Sequence, residues 1–169
     1  PKTGNELSRG EIGNLEVRGP NVFVGYWNMP EKTKEELRED GFFITGDLGL
    51  MDKDGYVQII GRDKDLIISG GLNIYPKELE LLLDEQEGVL ESAVIGVPHP
   101  DFGETPLGIL VREKYAEPKI DKIEKIIKSQ LARYKHPKRF VIIDKLPRNT
   151  MGKVQKNLLR EQYKNTFLG

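Results

Sequence analysis

Residues 147–160 read Pro-Arg-Asn-Thr-Met-Gly-Lys-Val-Gln-Lys-Asn-Leu-Leu-Arg, and Lys153 follows a glycine on a turn just before a helix. An extended lysine at a loop tip delivers a mobile point charge. Such a charge suits a carboxylate attacking a phosphate, where negative charge crowds in the transition state. A solvated surface lysine is the plainer alternative. Upstream, Thr45-Gly46-Asp47 closes an aromatic strand. An Asp beside Gly can accept hydrogen bonds from two neighbouring hydroxyls, as on a ribose diol, or can simply occupy a turn. Gly61-Arg62 follows a second strand. The guanidinium is a rigid fork suited to phosphate or ribose oxygens, or to a salt bridge at the strand end. Ser69-Gly70-Gly71 follows the apolar run Leu66–Ile68. Paired glycines allow positive φ or close approach of a ligand to the backbone, and a plain hairpin turn stays open beside that.

Other chemistries lack their residues. There is no cysteine, so disulfides, thiolate metal sites and Cys nucleophiles are excluded. The two histidines, His99 and His136, are too few for a His/Cys zinc site, and no metal ligands are assigned. Neither has a Ser or Cys partner that the sequence identifies. His99 is read as structural.

The elements that must position these residues fall into two parts. Residues 1–61 read as short strands and turns. Gly13–Arg18 and Tyr56–Ile60 alternate in the strand manner, and Pro30–Asp40 reads as a short polar helix opened by proline. This part is too turn-rich to bury much core and is expected to be the tail of a larger, incomplete β subdomain. Residues 66–169 alternate more regularly: helix Pro76–Glu87, strands Val89–Val97 and Leu107–Arg112, helix Ile120–Leu131, strand Arg139–Ile143 and helix Gln155–Phe167. The expected fold is α+β, a small mixed sheet with flanking helices, preceded by the strands of the first part. Residues 62–65 lie between the two as a candidate hinge.

The 169 residues are 37% hydrophobic and 31% charged, an ordinary globular balance. No apolar run approaches the roughly 18 residues that span a bilayer. The net charge of −1 hides an asymmetry: residues 1–110 hold 10 Lys+Arg against 21 Asp+Glu, and residues 111–169 hold 16 against 6. A basic C-terminal third favours an anionic ligand such as a nucleotide, or is a solvated helical surface. Nucleic acid is disfavoured, because the basic residues are not interleaved with aromatics. The chain opens on Pro1 with no signal peptide and is expected to be part of a longer protein. A cytoplasmic location is the expectation.

Taken together, Phe43-Ile-Thr-Gly-Asp47, Gly61-Arg-Asp-Lys-Asp-Leu-Ile-Ile-Ser-Gly-Gly71 and the Lys153 segment, in this order and at these spacings, resemble the C-terminal part of the adenylate-forming acyl-CoA synthetases. The resemblance covers essentially the whole chain. It implies an enzyme that makes an acyl-adenylate from ATP and a carboxylic acid, then passes the acyl group to CoA, with magnesium accompanying the ATP. It implies that Lys153 is catalytic, that Asp47 and Arg62 contact the nucleotide, and that Lys64 is the hinge about which residues 66–169 move. Ser69, Gly70 and Gly71 would line the pantetheine tunnel, with Tyr134 and His136 near the CoA adenine and its phosphate. Asn73, Tyr75, Pro76 and Glu78 continue the pattern as structural residues. The family's phosphate loop and acyl pocket are not in this chain. A medium- or long-chain fatty-acid CoA ligase is the enzyme alternative. A non-catalytic nucleotide- or partner-binding module is the alternative of another class.

Overall fold

The computed structural model describes residues 5–168, and the chain divides between Lys64 and Asp65 into two compact units. In the first unit, β1 (Gly13–Val17) precedes the short helix α1 (Pro30–Glu36), which is followed by β2 (Phe43–Met51) and β3 (Val57–Arg62). The strands form an antiparallel sheet in the order β1-β2-β3. Helix α1 stops before Asp40 because the chain turns into sheet pairing. Leu37 bridges Phe43, and the Arg38 guanidinium reaches Glu16 of β1 at 2.7 Å. Leu48 is the one buried large hydrophobic side chain among the described residues of this unit. Val24 is 97% and Trp27 89% exposed, and Tyr56, Val57 and Ile59 are also open.

The second unit builds around two long strands. Its elements are β4 (Ile67–Ser69), β5 (Leu72–Ile74), α2 (Pro76–Asp84), β6 (Val89–His99), β7 (Gly103–Arg112), α3 (Ile120–Gln130), β8 (Arg139–Ile143) and α4 (Lys156–Tyr163). β6 and β7 pair antiparallel along their whole length, from Val89 opposite Arg112 to His99 opposite Gly103. On the other edge of β7, β8 runs parallel over Leu107–Val111 and β4 joins at Gly103. The sheet is therefore mixed, as its alternation of strands and helices predicts.

Both faces of this sheet are covered. Val94 of β6 and Leu110 of β7 pack with Leu79 and Leu83 of α2 and Ile123 and Ile127 of α3. Ala93, Ile95 and Val97 of β6 and Leu107, Ile109 and Val111 of β7 point the other way, onto Leu159 of α4 and Leu146. A strand buried on both faces reads as a continuous apolar run, which is why Ala93–Val97 of β6 and Leu107–Val111 of β7 are apolar without alternation.

Boundaries shift for local reasons. α2 ends at Asp84 rather than Glu87, because Gly88 turns the chain at φ +85°. β6 and β7 extend through Pro98 and back to Gly103, beyond the prolines where a sequence reading stops. α4 ends at Tyr163, after which turns carry Phe167 back onto the core.

Candidate active site

Asp47 lies near the middle of β2, and Arg62 is its register partner at the end of β3. The Arg62 Nε donates to Asp47 Oδ1 at 2.8 Å, and Nη1 donates to the Thr45 carbonyl at 3.0 Å. Thr45 Oγ1 accepts from the Asp47 amide at 3.1 Å and donates to the Leu15 carbonyl at 2.8 Å. Two residues fifteen apart in sequence are thus brought into contact. The salt bridge that the sequence left open is formed. Lys64 is exposed on a short 3-10 turn, Asp63–Asp65, with no ion-pair partner among the described residues.

In the second unit, Ser69-Gly70-Gly71-Leu72 forms the β4–β5 hairpin. Gly70 has φ +56° and Gly71 +81°, so both central residues are left-handed, as the tight hairpin turn requires. The sequence held this turn open without predicting β4 and β5 as strands. The hairpin is braced from outside. The Gly70 amide donates to the Phe102 carbonyl at 2.9 Å, and Glu104 accepts the Ile68 amide at 3.2 Å. Phe102 in turn stacks on His99, at 4.7 Å between ring centroids.

Tyr134 is exposed on the 3-10 turn Arg133–Lys135. His136 Nε2 donates to the Leu131 carbonyl at 2.9 Å, which fixes the ring against the end of α3. Lys135, between them, reaches both carboxylate oxygens of Glu78 at 2.7 Å, so Glu78 in the first turn of α2 is held as a structural residue.

Lys153 stands on the return limb of a small turn before α4. Asn149 closes that turn four ways. Its Oδ1 accepts the amides of Met151 (3.0 Å) and Lys153 (2.9 Å), its own amide donates to the Lys153 carbonyl (2.9 Å), and its carbonyl accepts the Gly152 amide (2.9 Å). Gly152 adopts φ +79°. The Lys153 side chain is exposed, with no ion-pair or hydrogen-bond partner among the described residues. A rigid backbone thus carries an uncommitted ammonium. Asn149 escaped the sequence reading, although Asn followed by a turn glycine is the signal that would have found it.

The two motifs of this unit sit at opposite ends of its longest ladder. The glycine pair is tied beside the His99–Gly103 end. The Lys153 turn is tied through Arg148 to Glu91, near the Val111 end. Glu91 and His99, the register partner of Gly103, are eight residue steps apart on β6, about 26 Å at the usual rise of a strand.

The family profile described as AMP-binding enzyme C-terminal domain matches residues 78–153. The ATP-bound structure of MatB from Rhodopseudomonas palustris aligns over 99% of this chain and 33% of its own, with 59% identity and a TM-score of 0.91. Residues 78–153 carry an AMP-binding enzyme C-terminal domain, and nearly the whole chain is similar to part of acyl-CoA ligases. The o-succinylbenzoate CoA synthetase of Bacillus subtilis, solved with an acyl-adenylate intermediate, is 36% identical over 91% of this chain and 31% of its own, with a TM-score of 0.86. A long-chain-fatty-acid–CoA ligase of the same organism is 42% identical over 97% of this chain and 29% of its length. The chain thus spans about a third of the relatives it matches. No helix among the described residues is long and apolar enough to cross a membrane.

Proposed function

We propose that the protein carrying this chain is an AMP-forming acid–thiol ligase that activates malonate. In the first half-reaction a carboxylate oxygen attacks the α-phosphorus of ATP and pyrophosphate leaves. In the second, the CoA thiol attacks the carbonyl carbon of the acyl-adenylate, loses its proton, and AMP leaves. The observation that carries this reading is the uncommitted ammonium of Lys153 on a backbone pinned by Asn149. That charge is free to lie between the attacking carboxylate and the α-phosphate, where preorganised charge lowers the barrier most.

Asp47 would hold the ribose hydroxyls and Arg62 would orient it and contact the nucleotide. Ser69, Gly70 and Gly71 would line the path of the pantetheine arm, and Tyr134 and His136 would lie near the CoA nucleotide. Lys153 and the glycine pair are tied at opposite ends of the β6–β7 ladder, so one placement of the second unit would not serve both half-reactions. A rotation about Lys64, between a lysine-in and a glycine-in arrangement, would resolve this. Magnesium would arrive with the ATP. Among the described residues no group of three or more His, Asp or Glu side chains is set to hold a metal ion. The enzyme would serve acyl-CoA supply, with a cytoplasmic location proposed for it.

Malonate is favoured because identity to MatB, a malonyl-CoA synthetase, is 59%, against 42% to the long-chain-fatty-acid–CoA ligase. The test is a screen of acids with the full-length protein, ATP and CoA. Malonate should give the highest kcat/KM. A preference for medium- or long-chain fatty acids would move the enzyme to that class, and absence of turnover with every acid would favour a non-catalytic binding module.

A further inference from the structure

The turn that carries Lys153 has few contacts of its own with the core, yet charged residues flank it on both sides. Before it, the Arg148 guanidinium pairs with Glu91 of β6 and also donates through Nη1 to the Gly152 carbonyl at 2.6 Å. After it, Lys156 opens α4 and its ammonium lies 2.5 Å from Glu80 Oε1 of α2. That same oxygen accepts the backbone amide of Val94 on β6, at 2.9 Å. β6 is an edge strand, so the Glu80 carboxylate satisfies an amide with no neighbouring strand to pair with. Glu80 is 8% exposed and the Lys156 side chain 15%. One flank is therefore ion-paired to Glu91 of β6, and the other to Glu80 of α2, which in turn holds the Val94 amide three residues along β6.

We propose that these two ion pairs are a clamp that sets where the Lys153 ammonium stands, with Arg148 and Glu91 as positioning residues for the adenylation half-reaction. This rests on the role assigned to Lys153 above. Neither pair touches the ammonium. Arg148 acts through the Gly152 carbonyl, one residue before Lys153, and Lys156 acts through the start of α4, three residues after it. A lysine side chain is long and flexible, so its charge is only as well placed as its Cα. A displacement of about 1 Å at a reacting group can cost roughly 100-fold in rate. The arrangement also confines the effect to one half-reaction, because the Gly70–Gly71 hairpin hangs from the other end of the ladder.

Lys156→Met strands a buried carboxylate and threatens the fold, so the half-exposed pair carries the test. Arg148→Met, Glu91→Gln and the double variant are made in the full-length protein, with Lys153→Ala alongside. Adenylation is read as ATP–pyrophosphate exchange. Thioester formation is read as CoA-dependent consumption of chemically made acyl-adenylate. Thermal melts check folding. Each single variant should lose roughly 10- to 100-fold in exchange, on the scale of a small misplacement of the charge. Consumption of acyl-adenylate should stay close to wild type, and the double variant should be no worse than the singles. Equal losses in both half-reactions, or losses that multiply in the double, would overturn the clamp. Wild-type exchange in the Arg148 and Glu91 variants beside a crippled Lys153→Ala would also overturn it, with the functional reading intact. Wild-type exchange in Lys153→Ala would remove the functional reading itself.

Discussion

Asp47 and Arg62 face each other across β2 and β3 with 2.8 Å between carboxylate and guanidinium, so each fixes the rotamer of the other. The pairing uses Asp47 Oδ1 and leaves the other oxygen to accept from a ligand. The partners are only partly buried, so the pair itself adds little to stability. Its value lies in orientation.

Asp47→Asn keeps the size of the side chain and removes its charge. A hydrogen bond to a charged group contributes about 1.5–3 kcal/mol, so KM for ATP in pyrophosphate exchange should rise roughly 10- to 100-fold. Folding should be unaffected. An unchanged KM would remove Asp47 from the nucleotide site.

Gly71→Leu separates the two half-reactions from the other side. A Cβ at Gly71 meets no atom within 4 Å, so the protein itself offers no clash. Its φ of +81° is the obstacle for a side chain, at roughly 1–2 kcal/mol, together with any ligand that passes the turn. Adenylation should stay near wild type while thioester formation falls. Slowed pyrophosphate exchange with intact acyl transfer would place the hairpin elsewhere.

The sequence was legible where periodicity and turn chemistry act locally. The stripes Leu79–Leu83 and Ile123–Ile127, the continuous apolar β6 and β7, and the glycine turns each announce themselves within a few residues. β4 and β5 did not, because three-residue strands are too short for a period and gain their identity from pairing with each other and with Gly103. The site was legible as separate motifs. What ties them was not: Arg148–Glu91 and Lys135–Glu78 each span 57 positions, and nothing local in an exposed arginine or glutamate names its partner.

Gly108 tests the packing of the second unit. A Cβ there would stand 2.5 Å from the ring of Phe140, its register partner on β8. Gly108→Ala should destabilise the chain by about 1–3 kcal/mol in denaturant unfolding, the usual cost of overpacking. Phe140→Leu in the same background should recover part of the loss. Wild-type stability of Gly108→Ala would mean that β8 is not seated as described.

Hydrogen exchange on the purified chain should rank its two units. Amides of β6 and β7, covered on both faces, should be the last to exchange, and those of β1–β3, where Leu48 alone of the large apolar side chains is buried, should exchange much earlier. Calorimetry on the same chain should give at best millimolar ATP affinity, about −4 kcal/mol, and no thioester should form. Remote contacts with a substrate normally offset the entropy of positioning it, and this chain spans only about a third of its relatives' length. Micromolar ATP binding would show that this segment holds a complete nucleotide site.

Lys153 is proposed to supply the charge for adenylation and nothing for thioester formation. Lys153→Ala in the full-length protein, assayed for ATP–pyrophosphate exchange and for CoA-dependent consumption of chemically made acyl-adenylate, tests it directly. Removing one preorganised charge should lower exchange by about 10²–10³-fold and leave acyl transfer nearly intact. Equal losses in the two half-reactions, or wild-type exchange, would contradict it.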